Sequence, residues 1–425
     1  MASRIDVLRN RIRTDDMLRH GSMMVVAGVL VGVFNYLYQI TMGIMLAPAE
    51  YGTLYSLIAL TTIITILSQA LQISVIKYTS TFFSQRMMQR VHYLWRYSLK
   101  RAIIGGFVIF AVLALFSPLL TRFLDIDNYW YLFIIFGSLI LAFALPVNYG
   151  VLQGLQRFIS FGISSTLSTF LKLTLALILV YLGLGVYGAL LPHLLVAIVI
   201  FGVTAYFLKD LTLAGEEQVA LNGLYQYAGL ALLATTAFLV LTNVDIILVK
   251  HYLDADTAGT YSAISVLGKI SLFLPAGVVV AMFPKAAELS ERGANHRSLI
   301  AKSIVSTLGL CSIILIAYLF FPEQITNVVF RDNYPAAAPH LFEYGLAMTF
   351  FAMAYLLFHY LLSLNRTKAA FPMLGCMVLQ LVLIIAFHEN MAEIIRMVLI
   401  SSVACVVMIL PWFIAASRSK TLHQS

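Results

Sequence analysis

The chain has 425 residues, 61% of them hydrophobic and only 11% charged, with a mean hydropathy of +0.92 and a formal net charge of +8. Soluble proteins carry about 25% charged residues, so this composition excludes a water-soluble enzyme and describes a chain that dissolves in lipid. The excess of positive charge then reads as membrane orientation and contact with anionic lipid, not as nucleic-acid binding.

Apolar runs near 20 residues match a hydrocarbon core of about 30 Å, and they predict twelve transmembrane helices. In chain order these cover about 22–46, 53–76, 102–121, 129–149, 162–183, 188–207, 226–249, 259–283, 301–321, 339–361, 371–387 and 394–415. The first is too long for a signal-peptide core and reads as a retained span. Before it, Ile5, Leu8 and Ile12 recur at helical spacing among arginines, the pattern of an amphipathic segment on the inner leaflet or of a basic tail. Asn35 and Gln39 stand four apart on span one with Tyr36 and Tyr38 beside them, and Ser68 and Gln72 repeat the spacing on span two. Such polar lines mark either a wet, cavity-lining face or interhelical hydrogen-bond glue.

Between spans three and four, Asp125-Ile-Asp127 mimics a glycosyltransferase metal motif, but on a loop too short for a nucleotide-sugar site. Span five carries Lys172 and span six His193, which reads as a buried, satisfied histidine, as does His359 in span ten. The segment 208–225 is the natural hinge between two halves. Asp245 lies near one end of span seven, and Lys269 lies about ten residues into span eight, followed by Pro275 and Gly277. Intramembrane charges are costly and usually face a cavity or a partner. Two readings stay open: an Asp245–Lys269 pair, or Lys269 and Lys172 in a cavity wall as anchors for a lipid diphosphate. Glu343 in span ten reads as interfacial, and Arg331 to Tyr334 as a solvated loop or a glycan contact. Asn365-Arg-Thr367 matches a glycosylation sequon on a cytoplasmic loop. Cys311, Cys376 and Cys405 lie far apart within spans and form no disulfide or metal framework. No phosphate or dinucleotide fingerprint appears, so no cofactor, metal or catalytic group is expected.

The chain also echoes itself. Leu46-Ala-Pro-Ala-Glu-Tyr-Gly52-Thr53 aligns with Leu253-Asp-Ala-Asp-Thr-Ala-Gly259-Thr260 at an offset of 207, Lys77 with Lys285 at 208, and Leu155-Gln-Arg157 with Leu364-Asn-Arg366 at 209. The echo divides the chain into an N-terminal lobe, 1–213, and a C-terminal lobe, 214–425. Six spans per repeat make the two lobes run parallel, with their pseudo-two-fold axis along the membrane normal. Twenty-one of the 27 basic residues fall on the side of the N-terminus and four on the other, which places both termini in the cytoplasm.

The motif at 46–52, Gly150-Val-Leu-Gln-Gly-Leu-Gln-Arg157, Gly183-Leu-Gly-Val-Tyr-Gly188, Asp245 with Ala258-Gly-Thr-Tyr261, and Met282-Phe-Pro284 resemble polysaccharide-biosynthesis flippases of the O-antigen (Wzx-like) type. These belong to the multidrug/oligosaccharidyl-lipid/polysaccharide exporter superfamily. The resemblance implies an all-α membrane protein with two six-helix lobes around a central cavity. It also implies translocation of a polyprenyl-diphosphate-linked oligosaccharide, without chemistry, across the cytoplasmic (inner) membrane. The substrate-binding candidates are then Lys269, Lys172, Asn35, Tyr38, Gln39 and Gln72, with Asp245 as the candidate site for a coupling ion, H+ or Na+. The alternatives are a drug or metabolite exporter of the same superfamily, or a membrane glycan polymerase. The deep lysines favour an anionic cargo over cationic drugs, and the short outer loops disfavour the polymerase.

Overall fold

A computed structural model describes residues 2–126, 128–219, 229–292, 294–364 and 366–418. Asp127, Asn365, residues 220–225 of the expected hinge and the start of span seven lie outside the described residues. The described chain is all helical: α1 (Ala2–Met45), α2 (Pro48–Ser84), α3 (Met88–Leu115), α4 (Ser117–Phe123), α5 (Trp130–Gly154), α6 (Phe158–Leu179), α7 (Gly185–Phe207), α8 (Gly229–Leu241) and α9 (Val244–Tyr252). The series continues with α10 (Ala255–Gly268), α11 (Ile270–Phe273), α12 (Ala276–Glu291), α13 (Arg297–Phe320), α14 (Pro322–Phe330), α15 (Ala338–Ser363), α16 (Ala370–Ala386) and α17 (Met391–Arg418).

Among the described residues, ten helical segments are long and apolar enough to cross a membrane. One of them, Phe158–Phe207, holds both α6 and α7, separated by a π-helical turn at Val180–Leu184. Gly183 at φ +87° and Gly185 at φ +49° make that break, a backbone that side chains resist. Residues 229–252 are interrupted after 13 residues of α8 instead of forming one long span. The Thr242 N–H still reaches the Phe238 carbonyl, joined there by Oγ1 at 3.0 Å, but the Asn243 N–H turns to Val240 and its side-chain Nδ2 takes the Leu239 carbonyl at 2.8 Å. The expected span eight is likewise three helices. Pro275, which has no N–H to donate, separates α11 from α12, and Lys269 sits at the joint between α10 and α11.

Two expected loops are largely helix. Residues 78–84 end α2 and 88–101 begin α3, while 284–291 end α12 and 297–300 begin α13. Apolar runs mark only the lipid-embedded part of a helix, and hydrogen bonding carries the same helix on through polar sequence. Nor is Arg331 to Tyr334 wholly solvated: Asn333 Nδ2 donates to the Ile44 carbonyl at 3.0 Å and Tyr334 is buried.

Packing gathers the chain into two compact units. One contains Met1–Met42, Leu67–Pro118 and Asn128–Tyr227; the other contains Gly43–Ile66, Leu119–Asp127 and Ala228–Ser425. In the first, a buried polar node joins α3, α5 and α7: Trp95 Nε1 donates to Asn148 Oδ1 at 2.8 Å, and Asn148 Nδ2 to Thr204 Oγ1 at 2.9 Å. Hydrogen bonds of this kind tie helices together where lipid offers no hydrophobic drive for association.

The described part of 208–225 is fastened to this unit. Arg157 donates twice to the Asp210 carboxylate, Arg90 Nε donates to Glu217 at 2.9 Å, and the His92 ring meets the Gly215 carbonyl at 2.7 Å. The hydrogen bond from Arg157, aided by its charge, holds the Asp210 carboxyl below its ordinary range. A depressed carboxylate stabilises above its unfolded pKa, and that contribution is lost as pH falls through the folded value. Lowering the pH from about 5 to about 3 should therefore raise amide exchange across 209–219. Asp210→Asn should show the raised exchange already at neutral pH; equal exchange in the two proteins would refute the clip.

In the second unit the two copies of the echo meet. Both begin a helix. Pro48 opens α2, where its missing N–H costs nothing, and Asp254 caps α10 by accepting from the Thr257 N–H at 2.9 Å. A Cβ at Gly259 would lie 2.0 Å from the Pro48 carbonyl oxygen, and one at Gly52 2.7 Å from the Gly259 nitrogen. The glycines that aligned in sequence are thus the point of contact between the two helix starts.

Candidate functional site

Each unit holds a lysine between apolar helices, Lys172 half-buried and Lys269 buried, and the two are held in the same way. In the first unit Lys172 Nζ on α6 donates to Asn35 Oδ1 on α1 at 2.6 Å and lies 5.0 Å from the centre of the Tyr38 ring. Tyr38 is itself buried, and its hydroxyl donates to the Ala189 carbonyl at 2.8 Å. Only its ring faces the ammonium, with the His193 ring packed edge-on at 5.5 Å. Three residues singled out in the sequence, Lys172, Asn35 and Tyr38, therefore form one cluster.

In the second unit Lys269, 5% exposed, donates to Asn243 Oδ1 at 3.2 Å and lies 5.9 Å from the Tyr55 ring centre. The break that ends α8 presents this asparagine, so the interrupted helix and the lysine's acceptor have one cause. Asn35 and Asn243 stand 208 positions apart, which is the offset of the repeat. The position equivalent to Lys172 is Gln380, and its Nε2 reaches back to the Leu241 carbonyl at 2.9 Å. The internal repeat therefore preserves a reach from the fifth helix of each half toward its first.

The Asp245–Lys269 ion pair does not form. Asp245 is fully buried in the first turn of α9, where its charge suits the helix N-terminus. Its Oδ2 accepts from the Tyr261 hydroxyl at 2.8 Å and from that of Tyr344 at 2.7 Å, while Oδ1 has no hydrogen-bond partner. Ser265 extends the network to Tyr344 at 3.0 Å. Depth along neighbouring helices brought Asp245 and Lys269 to one level, but two tyrosines on α10 and α15 take the carboxylate instead.

Gln72 is engaged by a second glutamine. Its Nε2 donates to Gln153 Oε1 at 3.1 Å, tying α2 to α5 where Gly150 lets the backbones approach. Gln39 shares α1 with Asn35 and Tyr38 and is half-buried. Glu343 faces Arg396 at 3.8 Å, and the His359 ring packs on Tyr355 at 4.1 Å. Sequence reasoning missed Asn243, Tyr55 and Tyr344, and quoted Tyr261 beside Asp245 only as part of the family-like motif. Adding 208 to Asn35 would have found the first; the others are tyrosines within apolar runs and carry no local signal. Lys250, which falls just past the apolar run 226–249, is buried near the end of α9.

Among the described residues no carboxylate forms an ion pair with Lys172 or Lys269, and no group of three or more metal-ligating side chains occurs. Each lysine is thus a cation whose direct partners are a neutral amide and a ring face. Both are weak holders compared with an anion brought into the same dry surroundings.

The fold is that of known membrane transporters. An inward-facing multidrug resistance MATE family transporter of the MOP superfamily superimposes with a TM-score of 0.75 at 14% identity, over 92% of this chain and 96% of that one. The lipid II flippase MurJ in an inward closed conformation gives 0.69 at 13% identity, over 94% and 91%. A eukaryotic MATE transporter gives 0.60 at 15% identity, over 93% and 96%. No curated protein matches the chain in sequence. Residues 41–339 match the family described as polysaccharide biosynthesis protein, and the chain belongs to that family.

Proposed function

We propose that the protein is a flippase that carries a polyprenyl-diphosphate-linked oligosaccharide from the cytoplasmic to the outer leaflet of the inner membrane, for cell-surface polysaccharide synthesis. One observation carries the reading: two lysines between apolar helices, Lys172 and Lys269, whose direct contacts are asparagine amides and tyrosine rings. A lone ammonium in low dielectric is costly, and a diphosphate offers what these sites lack. Membership of a polysaccharide biosynthesis family supports the glycan, and a fold shared with a lipid II flippase supports a lipid-linked one.

In this reading twelve helices form two parallel lobes, 1–213 and 214–425, with both termini in the cytoplasm. The head group enters a central cationic cavity from the cytoplasm, meeting Lys172, Lys269, Asn35, Gln39 and Gln72 and the ring of Tyr38, while the polyprenyl tail stays among membrane lipids. The lobes then rock and release it outside. No bond breaks, so the protein is a transporter and not an enzyme. Asp245, with one oxygen open and two tyrosine donors on the other, is the site assigned to a coupling ion, H+ or Na+. The membrane potential supplies about 2.3 kcal/mol per charge per 100 mV, enough to set direction. An exporter of cationic drugs would need that carboxylate for its cargo, and the tyrosines enclose it.

Reconstituted protein should move a fluorescent polyprenyl-diphosphate sugar between leaflets and leave it chemically unchanged. An altered product would assign an enzyme instead, and no movement would refute the flippase. Reporter fusions at Arg90 and Arg292 should read cytoplasm and one at Arg331 the outside; any reversal overturns the topology.

A further inference from the structure

A groove of about 620 Å³ runs along the seam between α1 and α6 in the first unit, within the size range of about 300–1,000 Å³ that holds a small-molecule ligand. Val26, Leu30 and Phe34 form one wall, and Ile159, Ile163 and Phe170 the other. Ala27 and Gly162 make the floor, because small residues let the two helices approach there: a Cβ on Gly162 would lie 3.3 Å from that of Ala27. The lining is almost wholly apolar, with Thr166 its one polar side chain. From Phe158 to Phe170 it follows α6 for about 18 Å, at about 1.5 Å per residue.

The groove ends at a cation. Phe34 and Phe170 close the seam with their ring centres 5.5 Å apart. The next bridge between the same two helices is the Lys172–Asn35 hydrogen bond, one residue further along α1 and two along α6. That bridge is about 3 Å further along the axis. An apolar trough leading to a half-buried ammonium fits an amphiphile with a hydrocarbon chain and an anionic head.

Resting on the flippase reading, we infer that the α1–α6 groove holds the first isoprene units of the lipid-linked substrate while its diphosphate engages Lys172. The head then lies among the helices and the chain leaves sideways into the bilayer. Gly162 sets the depth of the groove, and the exposed ridge of Ile159 and Ile163 supplies its outer wall.

The test uses the full chain in nanodiscs and a decaprenyl-diphosphate sugar bearing a diazirine on its second isoprene unit. Photolysis should place adducts within residues 26–34 and 158–170. Unlabelled decaprenyl phosphate should abolish them, and dioleoyl phosphatidic acid at the same concentration should not. Filling the floor with Gly162→Phe should cut labelling about tenfold, the effect of roughly 1.4 kcal/mol of lost binding. Ile163→Ser, at a lipid-facing position where folding is not at stake, should also reduce it. Adducts only elsewhere, or labelling that both variants leave unchanged, would overturn the inference. Equal competition by phosphatidic acid would also overturn it, making the groove a general lipid surface. Groove labelling in a protein that moves no lipid-linked glycan would remove the flippase reading and leave the isoprenoid site standing.

Discussion

Lys172→Met and Lys269→Met should each lower translocation of a lipid-linked glycan about tenfold or more, and the double variant should abolish it, with thermal stability unchanged or raised. The two effects separate for a physical reason. An ammonium in a dry helix bundle pays a desolvation cost that one amide acceptor and one ring face do not offset. Replacing buried charges with apolar residues of similar volume is often neutral, or stabilising by about 1–4 kcal/mol. If the lysines were structural, the same variants would lose stability and activity together. Asn35→Ala and Asn243→Ala act in the opposite sense. They leave the cation in place and remove its acceptor, at a cost of about 1.5–3 kcal/mol for a hydrogen bond to a charged group. Methionine variants that melt early, or that transport normally, would remove the lysines from the substrate path.

The first cluster was legible because its parts lie on two helices whose depth and polar face the sequence shows directly. Lys172 and Asn35 are polar interruptions of apolar runs, and Tyr38 follows one turn after Asn35. For the second, two readings stood open and the ion pair is the one the structure does not make. Counting residues places Asp245 and Lys269 at similar depth, but depth gives no azimuth, and opposite charges suggest a pair that the fold does not make. The acceptor is Asn243, presented by a helix break that hydropathy passes over, because Thr242 and Asn243 are too few to interrupt the apolar average between Leu230 and Val249. The echo around 46 and 253 indicated a duplicated scaffold, and the match of Asn35 with Asn243 at an offset of 208 carries it to the lysine sites. Each half holds one lysine on equivalent asparagines, but the lysines come from non-equivalent helices, α6 and the α10–α11 joint. An alignment that looks for matching residues finds the asparagines and loses the lysines.

Gly259→Val should be the most disruptive single substitution in the second unit. Most close contacts of a new side chain relax when a neighbouring rotamer turns. Here the atoms met are the Pro48 carbonyl oxygen at 2.0 Å, its carbon at 2.4 Å and its Cα at 2.8 Å, all backbone or fixed to it. The start of α10 must move off the start of α2, and the movement carries Gly52, whose own nearest neighbour is the Gly259 nitrogen. Overpacking of this kind costs about 1–3 kcal/mol, and a shift of about 1.4 kcal/mol changes a two-state population tenfold. A cysteine placed at Ala258, 2% exposed, reports the separation. The native Cys311, Cys376 and Cys405 are all buried and give a low background. A membrane-impermeant maleimide should label Ala258→Cys slowly when Gly259 is present and about tenfold faster beside Gly259→Val. Gly28→Val, with nothing within 4 Å of the added Cβ, is the control and should leave the rate unchanged. Equal labelling with valine or glycine at 259 would mean that the two helix starts already part freely, and the contact between the repeated motifs would then hold nothing shut.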